Sequence, residues 1–154
     1  MKMIPLLIAA ALLITSAAAS TDPFVGKWKL DVKQSKYPAG TCPKKMVIEM
    51  ASTKQGVQYR SETTYENGRT IQTSYTADYN GMQAVVVTGR GMFLPVSLKR
   101  IDSNTVVASY TRGLQLVATS RRVVSRNGRL MTITTKSKDR SGKDVYTKGV
   151  YEKE

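Results

Sequence analysis

The feature that most constrains this chain is a series of short alternating runs separated by tight-turn signals. After residue 22 apolar and polar residues alternate, and turn signals return about every 8 to 13 residues with no helical period between them. Three Asn-Gly pairs, Asn67-Gly68, Asn80-Gly81 and Asn127-Gly128, lie between alternating runs. Such pairs favour two-residue hairpins, because a type I′ turn needs positive φ at both central residues. The pattern predicts an all-β chain built from antiparallel hairpins.

Cutting the sequence at its turn signals gives ten candidate strands, nearly all joined by hairpins. They are Phe24–Val32, Lys44–Ala51, Val57–Glu66, Arg69–Tyr79, Met82–Thr88, Pro95–Ile101, Thr105–Thr111, Leu114–Val124, Arg129–Lys138 and Val145–Lys153. An open meander has two exposed edges, and closing into an up-and-down barrel removes both. We therefore expect an all-β antiparallel meander closed into a barrel, with an open sheet or a two-sheet sandwich as the structural alternatives. The segments Lys33–Pro43 and Gly89–Leu94 break the alternation and are expected to be loops.

The strand faces predict an apolar inward face in the first strand and a mixed inward face in the strands that follow. In the first strand Phe24, Trp28 and Leu30 share one face, and Lys27 and Lys29 lie on the other. In the middle strands Tyr, Thr and Ser share the face that would point inward. A buried hydroxyl without a partner costs about 1–3 kcal/mol, so this lining favours a roomy barrel that holds water or a ligand. The alternative is that Tyr and Thr are simply good strand formers whose hydroxyls reach solvent.

These inward faces supply the candidate ligand-binding residues, which are five tyrosines and two arginines: Tyr59, Tyr65, Tyr75, Tyr110, Tyr151, Arg100 and Arg122. The two arginines lie on faces expected to turn inward, where a guanidinium would meet an anionic headgroup. We therefore expect a binding protein for a small hydrophobic or amphipathic ligand, with no cofactor.

The first residues are typical of an export signal. A short basic start is followed by an apolar run, Ile4–Thr15, and then by small residues up to Ser20. This order indicates a secretory signal peptide cleaved after Ala19 or, as second choice, after Ser20. An uncleaved anchor is the alternative, although the apolar run is shorter than the roughly 20 residues that span a bilayer. We expect a signal peptide at 1–19, one mature domain at 20–154, and a periplasmic or extracellular protein.

Composition excludes several kinds of chemistry, because the chain has no His and a single Cys, Cys42. It cannot build a Ser-His-Asp or Cys-His catalytic group, a His-ligated metal site, or an internal disulfide. No paired-carboxylate spacing stands out, so we expect neither enzymatic activity nor a metal. Cys42 is expected to be an inert thiol, with an intermolecular disulfide as the alternative. Because Tyr, Thr and Arg do not titrate near neutral pH, ligand affinity should be nearly flat between about pH 6 and 8.

The formal charge of +13 concerns partners rather than fold. Basic residues are most frequent towards the end of the chain, in the run from Arg121 to Lys143. A second hypothesis is therefore a basic cell-envelope protein that binds anionic lipid headgroups or glycans through its surface. An ordinary solvated surface is the simpler explanation of the same charge. Nucleic acid is not an expected partner, because aromatic residues do not interleave with the basic run, and we expect a monomer.

Several segments resemble a family of secreted barrels. The first strand contains Gly26-Lys27-Trp28, the Gly-x-Trp that opens lipocalins and fatty-acid-binding proteins, and Val150–Lys153 resembles the final strand of the latter. Together with Ser35–Tyr37, Val96–Asp102 and Met131–Lys136, these segments are similar to secreted bacterial lipocalin-like proteins of the calycin group, whose activity is unassigned. The resemblance implies a barrel of about ten strands and a ligand in its interior.

The resemblance also implies roles for individual residues. Trp28 would close one end of the barrel and pack against a basic residue from a late strand. In the fatty-acid-binding proteins an Arg-x-Tyr in the last strand holds a ligand carboxylate, and this sequence keeps Tyr151 but has Gly149 in place of the arginine. The two-helix lid of that group has no room in the eleven residues of Lys33–Pro43. The departure at position 149 puts the family's carboxylate clamp in doubt.

Overall fold

The computed structural model describes residues 21–89 and 97–154, and every regular element in these ranges is a β-strand. The eleven strands are β1 Gly26–Lys36, β2 Lys45–Thr53, β3 Gly56–Thr64, β4 Thr70–Ala77, β5 Asn80–Gln83, β6 Val85–Gly89, β7 Ser97–Asp102, β8 Thr105–Arg112, β9 Gln115–Val124, β10 Leu130–Lys138 and β11 Asp144–Lys153. The expected signal peptide, the expected loop after Gly89 and the start of the predicted strand Pro95–Ile101 lie outside the described residues. Within those residues there is no helix long and apolar enough to cross a membrane.

The sheet closes on itself almost completely. Its hydrogen-bonded order is β5-β7-β8-β9-β10-β11-β1-β2-β3-β4-β6, with every neighbouring pair antiparallel. The first strand pairs with the last, so that Trp28 lies opposite Lys153. The two edge strands, β5 and β6, are consecutive in the chain and are separated only by Ala84, which is buried. The chain therefore bridges its own sheet edges, and the predicted antiparallel barrel is confirmed.

The fifth predicted strand, Met82–Thr88, is in fact divided between two strands. Its first part belongs to β5, which pairs with β7, and its second part lies in β6, which pairs with β4. The predicted hairpin at Asn80-Gly81 is therefore wrong, because these residues begin β5 and have no partner in β4. The sequence did not reveal this break because Ala84 begins an apolar run that continues to Val87, with no turn signal at the point of division.

The other two Asn-Gly pairs form hairpin turns, but not of the predicted type I′. Gly68 and Gly128 have φ of +78° and +70°, whereas no described residue other than glycine has positive φ. Their amides donate hydrogen bonds to the carbonyls of Tyr65 and Ser125, at 3.0 and 2.8 Å. The asparagine side chain of each pair accepts a bond from the amide two residues further on. Only the glycine is left-handed, as in a type I turn followed by a G1 bulge.

A dry core fills one end of the barrel. Its largest fully buried side chains are Trp28, Phe24, Ile48, Leu98, Met131, Val57, Val106 and Val124. The indole Nε1 of Trp28 donates a hydrogen bond of 2.9 Å to the carbonyl of Phe24. The ammonium of Lys153 lies 4.8 Å from the centroid of an indole ring of Trp28, a cation–π contact. Trp28 thus plugs this end against a basic residue of the last strand, as the resemblance implied.

β1 is interrupted by a bulge that begins at Asp31, in the middle of the strand. The Asp31 carboxylate accepts hydrogen bonds from two backbone amides of the bulge, at 2.9 and 3.1 Å. The hydroxyl of Ser35 donates to the Asp31 carbonyl and accepts the amide of Val150, while the register with β11 shifts between Asp31 and Lys36. Strand pairing therefore continues past this bulge. The predicted loop Lys33–Pro43 is wrong in its first part, which is strand, and only its second part is a loop.

Gly56, at the start of β3, allows no side chain. Its φ is +107°, and a Cβ there would lie 2.2 Å from the carbonyl oxygen of Ala77. Gly68 also has a positive φ, +78°, but a Cβ there would meet open space. We expect Gly56→Ala to lower the free energy of unfolding by about 3 kcal/mol or more, and Gly68→Ala by about 1 kcal/mol. Urea unfolding followed by tryptophan fluorescence measures both, and equal losses would contradict this packing.

Candidate functional site

The half of the barrel beyond the dry core is hollow. A cavity of about 1430 Å³ opens at the end of the barrel that carries the turns after β1, β3, β8 and β10, here called the mouth. Its volume exceeds the roughly 300–1,000 Å³ of ordinary small-molecule pockets. The hydroxyl-bearing faces of the middle strands therefore surround a space rather than a dry core.

The cavity wall is amphipathic because adjacent strands place unlike side chains at the same level. Its apolar part consists of Val32, Met46, Ile71, Ile133 and Val145, and its hydroxyl part includes Ser61, Thr63, Thr73, Thr135 and Thr147. Thr63 pairs across the sheet with Ile71, and Ser137 pairs with Val145. A ligand with an apolar body and a few polar groups would match such a wall.

Six of the seven predicted site residues line this cavity, namely Tyr59, Tyr65, Tyr75, Tyr110, Tyr151 and Arg122. Tyr65 lies at the mouth, in the turn after β3, where the guanidinium carbon of Arg69 is 5.1 Å from the centroid of its ring. The other five residues are buried and come from five different strands. The structure thus brings together four aromatic rings and one guanidinium inside the barrel.

The seventh predicted residue, Arg100, lies outside the cavity. It forms an ion pair with Asp22 at 3.0 Å, and its guanidinium carbon is 4.1 Å from the ring centroid of Tyr79 and 5.5 Å from that of Phe24. These partners belong to the filled end of the barrel. Alternation along β7 predicts that Arg100 faces inward, but it does not predict how far along the barrel axis the residue lies. The charge of Arg100 is therefore paired within the protein. Its contacts with Asp22 and Phe24 hold the segment before β1 against the sheet.

Among the described residues, Arg122 is the one charged side chain that is buried, with 4% of its surface exposed. Its Nη1 donates a hydrogen bond of 2.8 Å to the hydroxyl of Tyr75. The guanidinium carbon lies 5.3 Å from the ring centroid of Tyr59, and that ring stacks on Tyr75 with centroids 4.6 Å apart. The Nε of Arg122 is buried and has no hydrogen-bond partner among the described residues. One donor of the guanidinium is therefore left unsatisfied.

No carboxylate neutralises Arg122. It takes part in none of the four ion pairs found in residues 21–89 and 97–154. The stretches outside those ranges contain no Asp or Glu, so every acidic side chain of the sequence is described. Burying a charge without a counter-ion costs several kcal/mol of solvation free energy, of which a cation–π contact with Tyr59 recovers about 1–2 kcal/mol. The site therefore presents a positive charge that an anionic ligand group would complete.

The phenols around Arg122 are neutral hydrogen-bonding groups at neutral pH. Burial raises the pKa of Tyr59, Tyr75 and Tyr151 above the ordinary value for tyrosine. The hydroxyls of Tyr110 and Ser120 are 2.9 Å apart and hydrogen-bonded. These groups are suited to orienting a ligand rather than to exchanging protons near pH 7. Among the described residues, no group of His, Cys, Asp or Glu is arranged to hold a metal ion.

Gly149 lies beneath two tyrosines. A Cβ at this position would be 2.7 Å from the ring of Tyr151 and 3.0 Å from the hydroxyl of Tyr37. An arginine therefore does not fit at the position where the resemblance would place one. Ile133 of β10 pairs with Gly149 on one side and with Arg122 on the other. Arg122 thus supplies a guanidinium at the same level of the barrel, from two strands away.

Tyr37, Cys42 and Ser120 are among the residues of the cavity region that sequence reasoning missed. Tyr37 and Cys42 line the cavity from the loop after β1, a segment whose path no alternation pattern predicts. Ser120 could have been found, because Ala118, Ser120 and Arg122 alternate on the buried face of β9. Cys42 is a free thiol, and burial raises its pKa, so it stays protonated near neutral pH.

No protein-family model matches the sequence, and no curated protein matches it. Among solved structures, the chain is similar to the zebrafish ileal bile acid-binding protein in its crystal structure with cholic acid. The TM-score is 0.48 and the sequence identity 12%, over 86% of this chain and 99% of the zebrafish protein. A likeness at this level carries no statement about ligand or activity.

Removing the buried charge should not destabilise the ligand-free protein. We expect Arg122→Met to raise the free energy of unfolding by about 1–3 kcal/mol, because it replaces an uncompensated charge with an apolar side chain of similar length. Arg121, the adjacent residue, is exposed, and Arg121→Met should change that free energy by less than about 0.5 kcal/mol. Urea unfolding of lipid-stripped protein at pH 7 measures both variants. A loss of more than about 1 kcal/mol for Arg122→Met would contradict an unpaired charge at this site.

Proposed function

We propose that this protein is an exported, non-enzymatic binding protein that holds a small amphipathic anion inside its barrel. The observation that carries the proposal is the buried guanidinium of Arg122, which has no counter-ion and faces a cavity of about 1430 Å³. Export is proposed from the signal-like order of the first twenty residues.

The anionic group of the ligand would contact Arg122, and its apolar body would contact the cavity wall. A carboxylate or similar anion would accept hydrogen bonds from Arg122, including one from the unsatisfied Nε. Such charge-assisted bonds are short and about twice as strong as neutral ones. The apolar body of the ligand would lie towards the mouth along residues such as Ile71 and Val145, gaining about 25 cal/mol for each Å² of apolar surface removed from water.

The headgroup preference tests the role of Arg122. Oleate and oleyl alcohol share one hydrocarbon chain and differ in charge, so the ratio of their dissociation constants isolates the anion contact. We expect the wild-type protein to bind oleate at least about tenfold more tightly, which corresponds to about 1.4 kcal/mol. Arg122→Met should remove the preference, and the matched variant Arg121→Met should keep it. Displacement of a fluorescent probe from lipid-stripped protein gives both constants.

The outcomes of this experiment separate the alternatives. An unchanged preference in Arg122→Met would assign the headgroup to another cation and contradict the site. Failure of the wild-type protein to bind either molecule would contradict a ligand-binding function for the cavity.

Binding of a sulfonate should depend little on pH. The chain has no His, and burial raises the pKa values of Tyr59, Tyr75 and Cys42 further from neutrality. A sulfonate probe such as anilinonaphthalene sulfonate stays charged throughout this range. We therefore expect its dissociation constant to change less than about twofold between about pH 6 and 8. A sharp transition in the fluorescence titrations within that interval would count against a site made of Tyr and Arg.

A further inference from the structure

The hairpin between β8 and β9 carries two exposed leucines at the mouth. Leu114, next to Gly113 at the tip, is fully exposed, and Leu116 on β9 is 56% exposed. Arg112, at the end of β8, lines the cavity beside them. Exposed leucines at the tip of a hairpin leave apolar surface in water that a partner would cover.

Cations surround this tip. The neighbouring hairpin, between β10 and β11, carries Arg140 and Lys143, and Lys36 ends β1 at the same level as Lys148 of β11. None of these four, nor Arg112, forms an ion pair with a described residue. The mouth therefore combines an apolar tip with several unpaired positive charges.

The acidic residues of the mouth, three in the described part of the chain, are fewer than the five unpaired cations and do not cancel this charge. Asp139 accepts hydrogen bonds from the amides of Ser141 and Lys143 within its own turn. The carboxylate of Asp144 forms ion pairs with two lysines, at 3.1 Å from Nζ of Lys136 and 2.9 Å from Nζ of Lys138. Glu66, in the turn after β3, is the remaining acidic side chain of the cavity rim among the described residues.

We propose that the mouth of the barrel docks on an anionic lipid bilayer, with Leu114 and Leu116 inserted between headgroups. Apolar side chains at the centre of a basic surface are the combination that binds peripheral proteins to anionic membranes. Each lysine or arginine near such a surface contributes electrostatic attraction, and each leucine contributes burial. Docking in this orientation points the opening of the cavity at the bilayer. The contact does not require that the cavity bind a ligand.

Vesicle flotation tests the docking. Vesicles of phosphatidylcholine with about one-third phosphatidylglycerol should bind the mature protein at low salt, whereas pure phosphatidylcholine vesicles should not. Leu114→Ser should weaken partitioning about tenfold, and Arg140→Gln about fivefold. Met82→Ser is the matched control, because Met82 is 69% exposed but lies on β5, away from this hairpin. It should bind like the wild-type protein.

Two variants distinguish membrane docking from ligand binding in the cavity. Arg122→Met should dock like the wild-type protein, and Leu114→Ser should still bind anilinonaphthalene sulfonate in solution. Equal partitioning of Leu114→Ser and Met82→Ser, equal binding to neutral vesicles, or no binding at all would each overturn the docking. Binding that depends on vesicle charge but is unchanged by Leu114→Ser would place the contact on the basic outer faces of the strands. This outcome would also overturn the proposed docking.

Discussion

Pairing of the first strand with the last is the constraint on which the rest of the structure depends. It turns a meander into a nearly complete ring of hydrogen-bonded strands, so that the inward-facing side chains surround one interior. The same pairing brings Lys153 over Trp28 and closes one end of that space. In residues 21–89 and 97–154 no side chain plugs the opposite end in this way, and the cavity follows from this asymmetry.

Arg122 gives the hollow end its chemical character. A positive charge surrounded by tyrosines, with no acidic partner anywhere in the described chain, lowers the stability of the empty protein and prepares it for an anion. Gly149 contributes by leaving room for Tyr37 and Tyr151 on the part of the wall two strands from Arg122. The conflict between stability and function is one that binding sites commonly show.

Much of the architecture was predictable because turns and alternation are local signals. The Asn-Gly pairs at 67–68 and 127–128 marked real hairpins, and alternation placed Tyr59, Tyr75 and Arg122 inside. Alternation predicts whether a side chain faces inward or outward, but it does not predict the position of that side chain along the barrel axis. Arg100 and Arg122 therefore looked equivalent in sequence, although one belongs to the filled end and the other to the cavity. The break at Ala84 and the path of Tyr37 depend on closure of the sheet, which no local pattern encodes.

The Nε–H resonance of Arg122 reports most directly on the central claim that this guanidinium binds the anionic group of the ligand. It is assigned in a ¹H–¹⁵N spectrum by its absence from Arg122→Met and then followed during titration with oleate. The account predicts a downfield shift of this proton as the unsatisfied Nε gains an acceptor. The Nε–H of Arg100, a residue whose Nη2 already pairs with Asp22, should stay in place. Bound oleate with an unchanged Arg122 resonance would contradict it.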